Sequence, residues 1–217
     1  MLRSVNRICV LCPTRDRPDG FLRLAESIRK TSDKVDLWGY VDDDQVEMYG
    51  SVPRDMFYVG TRCGPVESAN KLARYQPGYD VYGLMTDDCV VETSGWDQWL
   101  LDAVAGMPNR ICVVSPYHNH GAHVDMPFVT KEWMKQTGWF ACPYTYHYCW
   151  PIITGLIGEM TAIIHAPEDR FSINHDYVEG VNDDLRTKDY KAFFAFVSAF
   201  LQGVVDKMRL AMYERTA

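Results

Sequence analysis

Two acidic clusters carry the strongest chemical signal in this sequence. Asp42-Asp43-Asp44 follows the apolar segment from Val35 to Val41, and Asp87-Asp88 follows Val81 to Met85. If those segments are neighbouring parallel strands, up to five carboxylates meet on one sheet edge and repel one another unless a cation or hydrogen-bond donors compensate. Hard divalent ions such as magnesium or manganese bind through oxygen ligands, keep waters and bridge to phosphates. A nucleotide diphosphate with such an ion would resolve the conflict. The plainer use of Asp after a strand is as a turn former or helix cap, and two clusters at matching positions argue against that use for both.

Other side chains invite chemistry with less force. His118, His120 and His123 imitate a metal cluster, but their spacing in a Gly-containing loop also suits a solvated loop. Trp139, Phe140, Tyr144, Tyr146, Tyr148 and Trp150 would serve either as a stacking platform for a sugar or base or as the packing of an irregular lobe. The seven cysteines are scattered as singles, several inside apolar runs, and read as buried free thiols rather than as disulfides or a zinc site.

The elements that must position these groups follow from the apolar pattern. Ile8 to Cys12 is a continuous apolar run of the kind a buried parallel strand shows, and Asp19 is expected to cap a helix whose inner face is Phe21, Leu22, Leu24, Ala25 and Ile28. Strands are expected at Val35–Val41, Met56–Val59, Val81–Met85 and Ile111–Ser115. Helices are expected around Val66–Ala73, after a Ser94 cap, and from Thr130 to Thr137 with Gly138 as the stop. Alternating short strands and helices predict an α/β fold, a mostly parallel sheet covered on both faces, with its ligand crevice beyond the carboxyl ends of the strands. The segment from Asp189 to about Glu214 has helical spacing and predicts one long amphipathic helix, packed on the domain or on a second subunit as a homodimer contact.

With 217 residues and 47% apolar composition, one domain is expected. It divides into a regular strand–helix half (1–115), a less regular half (116–188) and a C-terminal helix (189–217). The net charge of −7, from 22 basic and 29 acidic residues, argues mildly against duplex DNA or an anionic membrane as the main partner. The amino terminus runs straight into the first strand and no apolar stretch approaches the ~20 residues that span a bilayer, so a cytosolic protein without a membrane partner is expected.

In order and spacing the sequence resembles GT-A glycosyltransferases of the family-2 type, particularly the short versions encoded in phage genomes, over roughly residues 7 to 195. Pro13-Thr14-Arg15-Asp16-Arg17-Pro18 resembles the loop that closes the first strand under the donor nucleotide, and Asp42-Asp43-Asp44 the acidic strand end that contacts base and ribose. Asn70 to Arg74 resembles the helix before the metal strand, and Met85-Thr86-Asp87-Asp88 the Asp-x-Asp element with Thr86 in place of its first acid. Gly95-Trp96-Asp97, Gly138-Trp139-Phe140 and Ile173-Asn174-His175 match later landmarks, the last being the late histidine that completes the metal site.

The resemblance implies a Rossmann-like GT-A sheet with an irregular acceptor lobe, with 1–115 as the nucleotide-binding half and 116–188 as the acceptor and metal half, a nucleotide-diphosphate sugar as donor, and Mn2+ or Mg2+ held by Asp88 and His175. It implies donor contacts from Pro13, Thr14, Arg15, Arg17, Asp42, Asp43, Asp44, Asn70, Arg74 and Asp87, and the host cytoplasm as location if the gene is a phage's. The acceptor stays open among a DNA base, a protein and a glycan. Pro151 stands where the family places its general-base aspartate, leaving Glu159, Asp125 and His147 as candidates. A nucleotidyltransferase would carry a glycine-rich loop after the first strand, which residues 13–18 lack; a non-catalytic virion or complex component is favoured by Pro151 and opposed by Asp88 and His175.

Overall fold

The computed structural model describes residues 7–119, 124–176 and 183–213. His120, His123 and the far end of the expected C-terminal helix at Glu214 lie outside them. At its centre is β1 (Ile8–Thr14), whose residues Ile8 to Cys12 are inaccessible to solvent. It pairs in parallel with β2 (Val35–Asp42) on one side and β4 (Val81–Leu84) on the other, and β2 pairs in parallel with β3 (Phe57–Gly60). Beyond β4, β8 (Phe128–Thr130) runs antiparallel, followed by β6 (Val113–Ser115) and β9 (Ile163–His165), giving the order β3-β2-β1-β4-β8-β6-β9.

The strand order reverses at β1, which decides where a ligand goes. The chain moves outward from β1 to β2 and β3 through α1 (Pro18–Thr31), then crosses back through α2 (Pro65–Tyr75) to β4. Right-handed crossovers in opposite directions put α1 and α2 on opposite sheet faces and open a crevice between the carboxyl ends of β1 and β4. The loops that follow β1, β2 and β4 therefore share one edge, as the acidic clusters require.

A second sheet, absent from the sequence expectations, completes that edge. β5 (Cys89–Val91) pairs antiparallel with β10 (Ser172–His175), which also pairs in parallel with β7 (Tyr117–His118). His175 stands opposite Cys89, and the Asp176 N–H donates to the Asp88 carbonyl at 3.0 Å.

Several expected caps and bounds are corrected. Asp19 does not cap α1: Pro18 opens the helix, where its missing N–H costs nothing, and Asp19 sits in the first turn, where an acid favours the helix dipole. Ser94 gives way to Gly95, left-handed at φ 75°, before α3 (Trp96–Ala105). Thr130 caps α4 (Lys131–Thr137) by accepting from the Trp133 N–H, and Gly138 ends it.

Residues 150–160 form α5 (Trp150–Met160), which the sequence hides behind β-branched residues and two glycines. Those glycines allow close packing: a methyl on Gly155 would lie 2.9 Å from Val124, and one on Gly158 3.2 Å from Val113 and Ile163. Pro151 lies in the first turn of α5, a position proline tolerates, so the expected acid is replaced by a helix start.

The expected single C-terminal helix is two, α6 (Asp183–Ala199) and α7 (Leu201–Tyr213). The break lets each pack on a different surface. Phe196 near the α6 end and Phe200 at the break meet Tyr144, while α7 buries Leu201, Val205, Met208 and Met212 and accepts from Asn109 through its last carbonyls. That buried face of α7 is used within the domain. No helix among the described residues is long and apolar enough to cross a membrane.

Gly20 sets how closely α1 approaches the acidic edge, since a methyl there would lie 2.4 Å from the Asp87 carbonyl oxygen. Gly20→Ala should therefore destabilise the fold by about 1–3 kcal/mol in urea titration, the usual cost of forced overpacking. A parent-like midpoint would show that α1 does not press on this loop.

Candidate active site

The loop after β1 sends two arginines to two acidic clusters. Between them Asp16 takes the left-handed conformation, φ 62°, which Asp tolerates better than most residues. Arg15 turns toward β2: its Nη1 lies 2.7 Å from Asp42 Oδ2, and its two terminal nitrogens make a bidentate pair with Asp44 at 2.8 Å each. The Asp44 carboxylate is held below its usual range by Arg15, and the guanidinium is raised in return by Asp44 and Asp42. Asp43 is exposed beside them, and Pro13 is half-buried within β1.

Arg17 turns the other way. Its Nη1 lies 3.3 Å from Asp87 Oδ1 and 3.0 Å from Asp88 Oδ2. Asp87 is buried and also accepts a 2.6 Å bond from the Thr14 hydroxyl. Because an ionised carboxylate only accepts, Thr14 donates to Asp87 and the Tyr49 hydroxyl must donate to Thr14, at 2.6 Å. Tyr49 in turn accepts the Arg17 N–H at 3.3 Å. This chain fixes the loop backbone from below, and Tyr49 is a participant that sequence reading missed. Burial raises the Asp87 carboxyl above its usual range, with Thr14 and Arg17 opposing it.

Asp88 and His175, 87 positions apart in sequence, meet here: Asp88 Oδ1 lies 3.2 Å from His175 Nε2. Thr86, in the place of the absent first acid, donates to the same oxygen at 2.5 Å. Burial pushes the Asp88 carboxyl up, but the bonds from His175 and Thr86 outweigh it and hold it well below the usual carboxylate range. Asp88, His175 and Cys89 bring ligand atoms within 4.8 Å of one another. Burial raises the Cys89 thiol to about 12, and it donates to the Met126 sulfur, so the available donors are carboxylate and imidazole. The 3.2 Å between Asp88 and His175 is a hydrogen-bonding distance, and it is close to the roughly 3.0 Å between two cis ligands of an octahedral ion, so an ion would have to replace the proton they share.

Beside Asp88 is a cleft of about 300 Å³ lined by Asp16, Arg17, Arg23, Asp87, Asp176 and the first turn of α1, including Asp19. The lining sets five carboxylates against Arg17 and Arg23, so it is net negative and would take an anion only together with a cation.

Other expected site residues go elsewhere. Asn70 is buried and holds a loop: its Oδ1 accepts the N–H groups of Phe140 and Ala141, and its Nδ2 donates to the Ala141 carbonyl. Arg74 pairs with Glu67 on the exposed side of α2. Glu159, at the end of α5, pairs with His165 on the outermost strand, three strands away from β4 or about 14 Å at normal strand spacing. His147 is exposed, its ring centred 4.2 Å from that of Tyr148 in a tilted contact. Asp97 accepts from the backbone N–H groups of Asp33 and Lys34, and Trp96 stacks on Phe171 at 4.3 Å, so the Gly-Trp-Asp landmark locks a corner of the fold.

No family model matches the sequence, and no curated protein matches it. Solved structures do match the fold. A mannosyltransferase from Pyrobaculum calidifontis, in complex with GDP-Man and Mn2+, superposes with a TM-score of 0.58 at 12% identity, over 97% of this chain and 76% of that one. Glucosyl-3-phosphoglycerate synthase from Mycobacterium tuberculosis, in complex with Mn2+, UDP and phosphoglyceric acid, gives 0.62 at 14% identity, over 89% and 78%. TarS from S. aureus gives 0.55 at 12%, over 96% and 82%. The chain thus has the GT-A fold of nucleotide-sugar glycosyltransferases.

Asp189 of α6 is the second participant that the sequence conceals, because an acid in an amphipathic helix reads as its solvent face. It is 2% exposed, and its carboxylate accepts the N–H groups of Tyr146, His147 and Tyr148 at 2.7, 2.7 and 2.5 Å. Asp189→Ala leaves three donors unpaired and should cost on the order of 3 kcal/mol in denaturant unfolding. A loss below about 1 kcal/mol would mean that aromatic packing alone holds the 146–148 loop.

Proposed function

We propose that this protein is a glycosyltransferase that moves a hexosyl or pentosyl group from a nucleoside diphosphate sugar to an acceptor hydroxyl, with Mn2+ or Mg2+ held by Asp88 and His175. The observation that carries this reading is the Asp88–His175 pair, set at ligand separation on the sheet edge where the GT-A crevice opens. The solved structures of this fold that contain GDP-mannose or UDP with Mn2+ support it.

A bound divalent ion would neutralise the charge that develops on the departing diphosphate. The chain's own groups do the rest. Asp88 and His175 would hold the cation, and Thr86 keeps Asp88 oriented. Asp42, Asp43 and Asp44 face base and ribose, with Arg15 fixing two of them as hydroxyl acceptors. The 146–148 loop, held by Asp189 and resting on Gly64 through Tyr146, borders the acceptor side.

The acceptor proton goes to Asp125 in this reading. Two contacts favour it over Glu159: its chain neighbour Met126 touches Cys89, next to Asp88, and its carboxylate lies 3.9 Å from His118 on β7, beside β10. A carboxylate base near the reacting hydroxyl is the common solution for such a transfer.

UDP and GDP should each be titrated in thermal unfolding with and without Mn2+. A ligand that binds only the folded state raises the melting temperature by mass action, and here the rise should require the metal. Asp88→Ala and His175→Ala should each abolish the metal-dependent rise, and the double variant should be little worse than either single one. Asp125→Asn should keep the rise and lose sugar transfer. Equal shifts with and without Mn2+ would sink the metal-bridged site.

A further inference from the structure

Arg17 occupies the place a cation would want. Its guanidinium lies against both Asp87 and Asp88, taking Asp88 Oδ2 while His175 and Thr86 share Oδ1. An ion joining Asp88 and His175 would stand a few ångströms from a positive guanidinium in a half-buried site, where like charges interact strongly. We propose that Arg17 is the resident counter-ion of this site, pairing with Asp87 and Asp88 in the resting protein and turning to the donor diphosphate when cation and donor arrive together. The inference rests on the function proposed above.

The two arginines of the loop differ in a way that selects Arg17. Arg15 is held by Asp42 and by both oxygens of Asp44. Arg17 makes single-nitrogen contacts, at 3.0 and 3.3 Å, and its side chain is 39% exposed on the wall of the 300 Å³ cleft. Its backbone does not move with it: the N–H is bonded to Tyr49, and the carbonyl accepts the Phe21 N–H at 3.1 Å. The side chain can therefore exchange two carboxylates for a diphosphate, which matches a guanidinium's planar fork at least as well.

This arrangement couples cation and donor. Alone, the cation must displace or endure Arg17, and alone the diphosphate must draw Arg17 from two carboxylates that then lose its charge. Bound together, each removes the other's obstacle, and by linkage the enhancement is the same in both directions. Protein without donor would hold little metal.

Binding of Mn2+ to the whole chain, read as loss of the free-ion EPR signal, tests this with and without UDP. In Arg17→Ala, Mn2+ alone should bind about tenfold more tightly than to the parent, while UDP's enhancement of Mn2+ affinity shrinks by a similar factor. Arg17→Lys should fall between the two, and Arg17→Gln serves as a second neutral variant, each checked for folding by circular dichroism. A structural role alone would weaken both ligands together. Mn2+ affinity in folded Arg17→Ala or Arg17→Gln that equals or falls below the parent's without UDP overturns the counter-ion role and leaves the proposed function standing. If neither parent nor variant binds Mn2+ even with UDP, the function and this inference fall together.

Discussion

Crowded negative charge at one sheet edge is the constraint around which this structure is arranged. Parallel pairing of β1 with β2 and β4 forces Asp42 and Asp44 to one side of the β1 loop and Asp87 and Asp88 to the other. Carboxylates this close raise one another's proton affinity unless a cation intervenes. The loop answers with Arg15 and Arg17, two residues apart and aimed in opposite directions by the left-handed Asp16 between them. Asp88 has two further donors, Thr86 and His175, and so stays ionised in a half-buried place. An acid kept charged there is disposed to take a divalent ion.

The surrounding loops depend on a second device, used three times. Asn70, Asp97 and Asp189 are buried polar side chains whose partners are backbone N–H groups of irregular segments elsewhere in the chain. Irregular backbone has no ladder of its own, and an unpaired buried N–H is costly. Each side chain supplies the missing acceptors and fixes a segment: 140–141 for Asn70, 33–34 for Asp97, and 146–148 for Asp189. The segment from 140 to 148 is thereby tied to both α2 and α6.

Much of the first half of the chain was legible because its buried parallel strands are largely apolar runs that end abruptly in polar loops: β1 is apolar from Ile8 to Cys12, β4 throughout, and β2 is interrupted only by Asp36 before its acidic end. The meeting of Asp88 and His175 was foreseen from the order of landmarks, but its cause was not: three-residue strands such as β5 carry too little pattern to be seen, and it is the β5–β10 pairing that brings His175 to Asp88. Asn70 misled for a related reason. A motif shows that a residue sits at a given place, not whether its amide faces a ligand or a loop. Helix α5 was hidden by glycines chosen for close packing, and α6 and α7 read as one helix because the apolar spacing carries across the break at Phe200. Asp189 and Tyr49 left no trace, since their partners are backbone or distant hydroxyls.

The central proposal is that the acidic edge is a metal–diphosphate site with Asp88 and His175 as its protein ligands. A crystal structure with Mn2+ and UDP, with anomalous scattering recorded at the manganese edge, tests it most directly. The account predicts one strong anomalous peak within coordination distance of Asp88 and His175 Nε2, bridged to the diphosphate, with Arg17 turned away from Asp87. UDP bound in the crevice with manganese absent or held elsewhere would contradict it.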